Sequence, residues 1–458
     1  MIKQLYAISP VFLQNMYISL YGYYWKRRRY GGCFKQKIEE FKLHEKFSEE
    51  QWVKYQTVEL RKLLVHAFST VPFYQDLYKS HGFSLQDFKK FELEDLQKLP
   101  YLEKEDLRKY GTTTLLSTKR NKGKFYGSSG STGTPTQIYF SRKFHQTWSA
   151  LYETRARNWA GVNYKSPRSM IGGRRVLPTA TSSPPFYRIN KAESQFYFSA
   201  YHISDANASD YIVGLQKSKA AYLVGYATSI YLLAQSIHKQ QLLAPKFKAV
   251  LTSSEKLTSN MRMLIEKVFK CKVYDAYSGM EACGLISENS EGELLFSPDS
   301  GVMEVLDDKG KSAKPGDTGE VIATGFLNYD QPLIRYRIGD YVKISKNQET
   351  LKGIKMLKIE EIEGRTEDVI VSSDGRKMVR FHSIFIGIQS IIMTQLIQKS
   401  IHAITIKLVV DSSYKTKNEE IMAERIKNQL GTITVEFEYV EAIEKTNNGK
   451  YKAVISTI

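Results

Sequence analysis

The stretch Tyr126-Gly127-Ser128-Ser129-Gly130-Ser131-Thr132-Gly133-Thr134-Pro135 places hydroxyl side chains and three glycines between an aromatic lead-in and the strand-like residues 137–140. Glycines let the backbone approach a ligand closely, and hydroxyl and N–H groups together form a nest of donors suited to phosphate. The stretch lacks the Gly-Lys-Ser/Thr triplet of a Walker loop and the spacing of a nucleophile elbow. Its composition is also typical of a flexible linker, but a linker has no reason to run directly into an alternating strand. We therefore expect an anion-binding loop between two strands.

Periodic patterns downstream of this loop predict an α/β fold, α+β when the whole chain is considered. Helical patterns at 146–159, 205–217, 229–240 and 259–269 alternate with short apolar runs at 221–224, 249–252 and 272–274. Such alternation is typical of βα units on a mainly parallel sheet. We predict a helical part at 1–95, a core at 96–363 that includes a β-rich subdomain from about residue 294, and a small mobile α+β lid at 364–458.

The composition and charge of the chain limit the classes of molecule that it is expected to bind. The 458-residue chain has a net charge of +18 and a hydrophobic content of 42%. This charge favours anionic partners such as nucleotides, coenzymes or anionic lipid, whereas no nucleic-acid-binding motif is present. The three cysteines form no C-x-x-C pair and the eight histidines show no metal-ligand spacing, which argues against a disulfide framework or a zinc site. We therefore expect a cytoplasmic protein that does not bind nucleic acid.

The N-terminal segment combines aromatic and basic residues. Tyr17, Tyr21, Tyr23, Tyr24 and Trp25 precede the run Lys26-Arg27-Arg28-Arg29. No apolar stretch approaches the roughly 20 residues that a membrane span requires. Two interpretations remain open: a peripheral helix at the inner face of the membrane, or aromatic residues that pack on the protein's own core.

Four further stretches carry chemistry at the ends of predicted strands or near the C-terminus. They are Tyr277-Ser278-Gly279-Met280-Glu281, Arg335-Tyr336-Arg337-Ile338-Gly339-Asp340-Tyr341, 364–368 and 445–450, and the strand end at 251–257 lies between the glycine-rich stretch and the first of them. A carboxylate such as Glu281 at a strand end can hold Mg²⁺, and an aromatic ring such as Tyr277 can stack on a purine. An acid after a glycine, such as Asp340, can accept hydrogen bonds from both ribose hydroxyls. Each stretch alone also fits a strand cap, a polar turn or a solvated lysine.

In this order along the chain, the five stretches resemble the motifs of the acyl-adenylate-forming superfamily. The segments 70–74, 99–102 and 223–226 look like those of phenylacetate-CoA ligases, especially the branch associated with capsular polysaccharide biosynthesis. The resemblance implies ATP-dependent activation of a carboxylic acid as an acyl-adenylate, with release of pyrophosphate.

The resemblance also assigns roles to residues. It implies that ATP or AMP is bound by Ser128, Ser129, Gly130, Ser131, Thr132, Gly133, Thr134, Ser254, Glu255, Tyr277, Asp340 and Arg365. Lys450 and Glu281 would be catalytic, Glu281 would hold Mg²⁺, and Glu367 would be the hinge. His202 and Tyr226 would line the acyl pocket, although His202 equally fits a core histidine. Thr136 departs from the family, in which many members carry a lysine.

The acceptor of the second step stays open: coenzyme A, an amine or a sugar hydroxyl would each fit. A second hypothesis keeps adenylation but transfers AMP itself, as in relatives resembling the deazaflavin-coenzyme adenylating synthetases. A third hypothesis, from another class, is a non-catalytic basic protein that docks on a membrane surface through residues 23–29.

Overall fold

The structure is a computed structural model that describes residues 2–127, 136–174, 176–177, 183–255, 257–307, 309–362, 370–375, 377–378, 382–385, 388, 390–441, 443, 454–456 and 458. Its N-terminal part is helical. The helices are α1 (Ile2–Ile8), α2 (Val11–Tyr30), α3 (Phe34–His44), α4 (Glu49–Thr70), α5 (Pro72–Ser80), α6 (Leu85–Lys89) and α7 (Lys104–Tyr110), with a 3-10 helix at Leu93–Lys98 between the last two.

Helix α4 shows how the sequence sets these bounds. Ser48 and Gln51 form a capping box, in which each side chain accepts a hydrogen bond from the other's backbone N–H. Leu60 and Leu64 recur at helical spacing and are fully buried. Pro72 then occupies the first turn of α5, where its missing N–H costs nothing.

Next along the chain comes an antiparallel hairpin of β1 (Gly123–Gly127) and β2 (Gln137–Ser141), followed by α8 (Arg142–Tyr152). A turn of π-helix extends α8 over Glu153–Arg157. The hairpin stands apart from the large sheet that follows.

Twelve of the strands in the described part of the chain form that large sheet. They are β3 (Arg168–Gly172), β4 (Tyr187–Asn190), β5 (Gln195–Ser199), β6 (Tyr222–Tyr226), β7 (Ala249–Ser253), β8 (Val273–Tyr277), β9 (Ile286–Glu288), β10 (Leu294–Phe296), β11 (Gly301–Leu306), β12 (Thr318–Gly325), β13 (Tyr336–Ile344) and β14 (Lys358–Ile362). Their order is β11-β12-β13-β14-β10-β9-β8-β7-β6-β3-β5-β4. Between them run α9 (Ala208–Ser218), α10 (Ala227–Lys239) and α11 (Ser259–Phe269).

The sheet confirms the expected mixed α/β fold and refines it. Strands β8, β7, β6, β3 and β5 are parallel neighbours, whereas the pairings from β8 through β9 to β11 are antiparallel. The β-rich region expected from about residue 294 therefore continues the parallel part within one sheet. Register aligns the carboxyl ends of β6, β7 and β8, since Tyr226 lies opposite Ser253 and Ser253 opposite Ala276. Ligands bind at such an edge in open α/β sheets.

The C-terminal residues form the expected small α+β unit. It contains β15 (Ile370–Val371), β16 (Lys377–Met378), α12 (His382–Phe385), β17 (Ile391–Ser400), β18 (Ala403–Val410), α13 (Lys417–Leu430), β19 (Thr434–Tyr439) and β20 (Val454–Ser456). Four of these strands form one sheet, in the order β19-β18-β17-β20. Helix α13 buries Met422, Ile426 and Leu430 in the core of this unit. The proposed boundary at residue 364 lies outside the described residues and stays a prediction.

Candidate functional site

The glycine-rich stretch connects the two strands of the β1–β2 hairpin. Gly127 lies opposite Gln137, the last pair of the ladder. Residues 128–135, which include the predicted nucleotide-binding residues Ser128 to Thr134, lie outside the described residues. The flanks nevertheless form adjacent strands of one hairpin, as expected for a loop between strands and not for a linker between domains. The phosphate-binding role of the loop stays a prediction.

One buried glutamine ties this hairpin to the rest of the large domain. The Gln331 amide donates to the carbonyls of Gly111 (2.7 Å) and Gln137 (3.1 Å), and its oxygen accepts from the Tyr139 N–H (2.7 Å). Gln331 is fully buried, so each of these bonds replaces one to water. Sequence reasoning missed Gln331, because the partners lie about 190 to 220 positions away in the chain.

Replacement of Gln331 by leucine should lower the free energy of unfolding by about 2 to 4 kcal/mol, because three backbone groups, two of them in buried residues, lose their partner. It should also raise the KM for ATP about tenfold, since positioning of a substrate loop is sensitive to small displacements. Urea unfolding and steady-state kinetics measure the two effects.

Gln348 supplies a matched control. Its amide likewise donates to two carbonyls, of Ser345 (2.7 Å) and Lys358 (3.0 Å), and accepts from the Lys358 N–H (2.9 Å), but these partners lie just after β13 and on β14 and not on the hairpin. Gln348→Leu should cost stability without changing the KM for ATP. An equal rise in KM for both variants would mean that Gln331 acts only through global stability.

Helix α2 holds the hairpin from a second direction. The buried Arg28 guanidinium donates to the Phe140 carbonyl (2.7 Å) and to His145 Nδ1 (3.1 Å). Burial, followed by the charges of Arg29 and Arg28, lowers the pKa of His145 to about 3. The imidazole is therefore neutral at pH 7 and can accept this hydrogen bond. Trp25 packs on the same histidine ring at 5.1 Å.

Two of the predicted nucleotide-binding residues meet in the structure. The Tyr277 hydroxyl, at the carboxyl end of β8, donates to Asp340 Oδ2 at 2.7 Å. Burial, and then the negative charge of Asp340, raise the pKa of Tyr277 well above its usual value. The phenol therefore stays protonated and keeps donating. Motifs that lie 63 residues apart in the chain thus form one constellation.

A local irregularity in β13 presents Asp340. Glu320 of β12 pairs with Tyr341, whereas Ile322 pairs with Arg337, so β13 carries extra residues at this point. Gly339 within this bulge has φ +82°, a conformation that glycine adopts without strain. Bulges of this kind redirect side chains at functional edges.

The segment 99–102 braces the start of β13. The Leu102 N–H donates to the Arg335 carbonyl (3.1 Å), and the Arg337 N–H donates to the Leu102 carbonyl (3.0 Å). The guanidinium groups of Arg335 and Arg337 lie 4.4 and 4.2 Å from the Tyr101 ring centroid. These cation–π contacts fix the strand that carries Asp340. Sequence reasoning noted this segment as part of a resemblance but did not predict its contacts.

Glu281 lies beside the same strand. Its Oε1 accepts a hydrogen bond from the Tyr336 hydroxyl at 3.3 Å. A Cβ added at Gly279 would stand 2.5 Å from Glu281 Oε2, so the glycine leaves room for the carboxylate to fold back. No group of three His, Cys, Asp or Glu residues suited to a metal occurs among the described residues. One carboxylate fits Mg²⁺, which commonly takes a single protein ligand together with phosphate oxygens and water.

Ser254 and Glu255 directly follow β7 at the same edge of the sheet. Ser254 has φ +73°, a left-handed turn that ends the strand. Its hydroxyl lies 3.4 Å from that of Ser253. The turn therefore places these two predicted residues beside the carboxyl end of β8, where Tyr277 stands.

The two predicted acyl-pocket residues have different surroundings. Tyr226 ends β6, and a Cβ added at Gly173 would stand 2.7 Å from its hydroxyl. His202 is buried, with Nδ1 2.8 Å from the Ser199 hydroxyl and its ring stacked on Phe186 at 5.4 Å. These contacts give His202 a packing role, and the acyl-pocket role of both residues stays a prediction. Arg365, Glu367 and Lys450 lie outside the described residues.

Asp275 lies on β8, two residues before Tyr277, and its ionisation should make the stability of the protein depend on pH. Burial raises its pKa to about 6, although Thr252 donates to its Oδ1 at 2.7 Å. Because the native pKa lies above the usual value of 3.8, the stability that this group contributes is fully present below about pH 4 and lost as pH rises through 6.

Asp275→Asn should therefore be more stable than the wild type above pH 6, by on the order of 2 kcal/mol, and the difference should vanish towards pH 4. Urea unfolding across this range measures it. Asp307→Asn is the control of opposite sign, because backbone hydrogen bonds from Lys311 and Lys309 lower the pKa of Asp307. A pH-independent difference for Asp275→Asn would contradict the prediction.

Comparisons with known proteins show what this chain is similar to. Residues 370–457 match the CapK C-terminal domain family. The chain is 29% identical to Protein CapK of Staphylococcus aureus over 466 residues, covering 100% of both chains. It is 24% identical to the phenylacetate-coenzyme A ligase of Escherichia coli (strain K12), covering 69% of this chain and 71% of that protein.

A solved structure shares the fold. The 2-hydroxyisobutyryl-CoA ligase, solved in complex with 2-HIB-AMP and CoA, superposes with a TM-score of 0.59 at 18% identity, covering 90% of this chain and 91% of that chain. The order of the motifs, the edge at which they meet and these likenesses lead to one conclusion: the chain is a phenylacetate-CoA ligase-like, CapK-type protein with the fold of an acyl-CoA ligase.

Proposed function

We propose that this protein is an AMP-forming ligase that activates a carboxylic acid with ATP and then passes the acyl group to coenzyme A. The observation that carries the proposal is the hydrogen bond between Tyr277 and Asp340 at the carboxyl edge of the sheet. It brings an aromatic ring and a carboxylate together, and this supports the proposal because an adenosine needs a stacking surface and an acceptor for its ribose hydroxyls.

In the first step, a carboxylate oxygen of the acid attacks the α-phosphorus of ATP. The bond from this phosphorus to the oxygen bridging the β-phosphate breaks, and pyrophosphate leaves. The protein's contribution is positioning and charge stabilisation. We assign the phosphates to the loop at Ser128 to Thr134, the ribose to Asp340 and Arg365, and the ammonium that offsets developing negative charge to Lys450. Mg²⁺ on Glu281 would neutralise phosphate charge.

In the second step, the thiol of coenzyme A attacks the acyl carbonyl carbon. The bond from that carbon to the phosphate oxygen breaks, AMP leaves, and the thiol proton passes to solvent. The support comes from the sequence relatives named as coenzyme A ligases, while the solved ligase shares the fold alone. Transfer to a sugar amine or hydroxyl in polysaccharide biosynthesis is the finer proposal, and it rests on the resemblance to the capsular branch.

ATP–pyrophosphate exchange over a panel of aromatic, aliphatic, amino and sugar acids tests the first step. We expect at least one class of acid to support exchange. If no acid supports exchange above the level of a Lys450→Ala variant, the proposal fails.

Mass spectrometry after addition of coenzyme A tests the second step with the acid so identified. An acyl-thioester would support the ligase. An AMP-linked product that persists without a thioester would favour the AMP-transferring alternative, and exchange without either product would point to another acceptor.

A further inference from the structure

Helix α2 carries its large apolar side chains on the outside of the protein. Phe12, Met16, Leu20 and Tyr23 recur every three or four residues, which places them on one face of the helix. Their exposed fractions are 69%, 46%, 66% and 52%. We call these four residues the apolar face. Ile8, at the end of α1, is also exposed.

The opposite side of α2 holds the helix to the large sheet largely through polar side chains. The buried residues of α2 are Gln14, Gly22 and Arg28. Gln14 accepts a hydrogen bond from Arg188 of β4, the last strand of the sheet. A helix on the surface of a water-soluble protein normally shows the reverse arrangement, with its apolar stripe towards the core.

Two more polar side chains of α2 satisfy the free edge of the sheet. Asn15 accepts from the Ile189 N–H at 2.8 Å, and the Ser19 hydroxyl donates to the Ile189 carbonyl at 3.2 Å. Covering an edge strand in this way prevents pairing with other chains. The orientation of α2 therefore follows from specific contacts, and these contacts leave the apolar face pointing outwards.

The charges around this face select the kind of partner. Residues 1–38 contain no Asp or Glu. Exposed cations lie over the exposed tyrosines at the C-terminal half of α2: Arg27 is 4.7 Å from the Tyr23 ring centroid, Lys124 is 5.6 Å from Tyr24, and Arg174 is 5.8 Å from Tyr21. Aromatic rings beside cations, next to an apolar stripe, suit the interface of an anionic bilayer.

We propose that α1 and α2 dock this protein on the surface of an anionic lipid bilayer. The apolar face enters the boundary between headgroups and acyl chains, while Arg27, Lys124 and Arg174 contact the headgroups. The 20-residue α2, about 30 Å long, lies in the plane of the interface. Among the described helices, none is long and apolar enough to cross a membrane. Trp25 contacts Tyr126 of the β1–β2 hairpin at 5.9 Å, so docking holds Tyr126 near the bilayer.

Vesicle flotation tests this proposal independently of the enzymatic activity. The wild type should float with vesicles of phosphatidylglycerol and phosphatidylcholine, and less with phosphatidylcholine alone. The triple variant Phe12→Gln, Met16→Gln, Leu20→Gln should partition about 100-fold more weakly, because it loses most of its insertable apolar area. Arg27→Gln with Lys124→Gln should weaken partitioning about tenfold at low salt.

A matched control removes equally exposed apolar residues elsewhere. Val213→Gln, Leu243→Gln, Met263→Gln changes three side chains that are 61%, 83% and 61% exposed, and should bind vesicles as the wild type does. Unchanged thermal unfolding shows that both triple variants are folded. Equal flotation of wild type and apolar-face variant, or equal binding to vesicles without anionic lipid, would overturn the proposal. So would a wild type that does not float but forms a dimer which the apolar-face variant dissociates, since the partner would then be a second copy.

Discussion

Asp340→Ala is expected to lower the rate of ATP–pyrophosphate exchange by about 100- to 1000-fold. A carboxylate that accepts from two ribose hydroxyls makes two charge-assisted hydrogen bonds, each of about 1.5 to 3 kcal/mol. Alanine removes both and also leaves the Tyr277 hydroxyl without its 2.7 Å acceptor. The exchange rate as a function of ATP concentration measures the loss, which should fall mainly on the KM for ATP.

Three further variants test whether Asp340 acts by binding the ribose or by stabilising the fold. Asp340→Asn keeps one acceptor oxygen and should retain more activity than Asp340→Ala. Tyr277→Phe keeps the ring, and its effect should be non-additive with Asp340→Ala because the two side chains share one hydrogen bond. Asp317→Ala removes an exposed acid from a turn of the antiparallel part, where it accepts only a backbone N–H in the described contacts, and should exchange as the wild type does. An unchanged KM for ATP in Asp340→Ala would show that Asp340 does not bind the ribose.

Lys450→Ala is expected to reduce exchange about 1000-fold, since removal of one preorganised charge that stabilises a transition state has effects of this size. This prediction rests on the motif at 445–450, because Lys450 lies outside the described residues. Lys445→Ala, in the same segment, should change exchange little. The same effect in both variants would mean that the segment acts through its net charge and not through a positioned ammonium.

Measurement of the two half-reactions separately distinguishes a catalytic role of Lys450 from a structural one. Lys450→Ala should still form the thioester when a synthetic acyl-adenylate and coenzyme A are supplied, because the adenylation step is then bypassed. Thioester formation followed by mass spectrometry measures this. Loss of both half-reactions to the same extent would assign Lys450 a structural role.

Local elements were predictable to within a few residues because their signal is local. The helix expected at 259–269 is Ser259–Phe269, and the strand expected at 249–252 is Ala249–Ser253. The spacing of apolar residues indicates which face of a helix or strand is buried, and this pattern can be read from about ten consecutive residues. The small C-terminal unit was predictable for the same reason.

Pairing between elements was less predictable, because partners lie far apart in the chain. Strand β10 pairs with β14, more than 60 residues downstream, and this pairing joins the β-rich region to the parallel strands. The same applies to Gln331, whose role depends on backbone groups of three distant residues. No local pattern distinguishes such a glutamine from a solvated one.

The N-terminal segment shows most clearly what the sequence predicts and what only the structure decides. Its sequence sets aromatic residues beside a basic cluster, a pattern that fits membrane docking and core packing alike. In the structure Trp25 packs inwards on Tyr126 and His145, whereas Tyr23 is exposed. The polar contacts of Asn15 and Ser19 with the sheet edge decide which face of α2 points outwards. A helical pattern in the sequence does not show which neighbouring element the helix will contact.

The chemical identity of the site came from the sequence. The order of residue types from the glycine-rich stretch to Lys450 indicates that the ligands are a nucleotide and a carboxylic acid. The sequence suffices for this because side-chain chemistry and backbone flexibility decide which ligands can bind. The spatial relation of those residues came from the folded chain. The Tyr277–Asp340 hydrogen bond, the bulge at Gly339 and the outward face of α2 depend on strands and helices distant in sequence, whose packing energies act only once they are brought together.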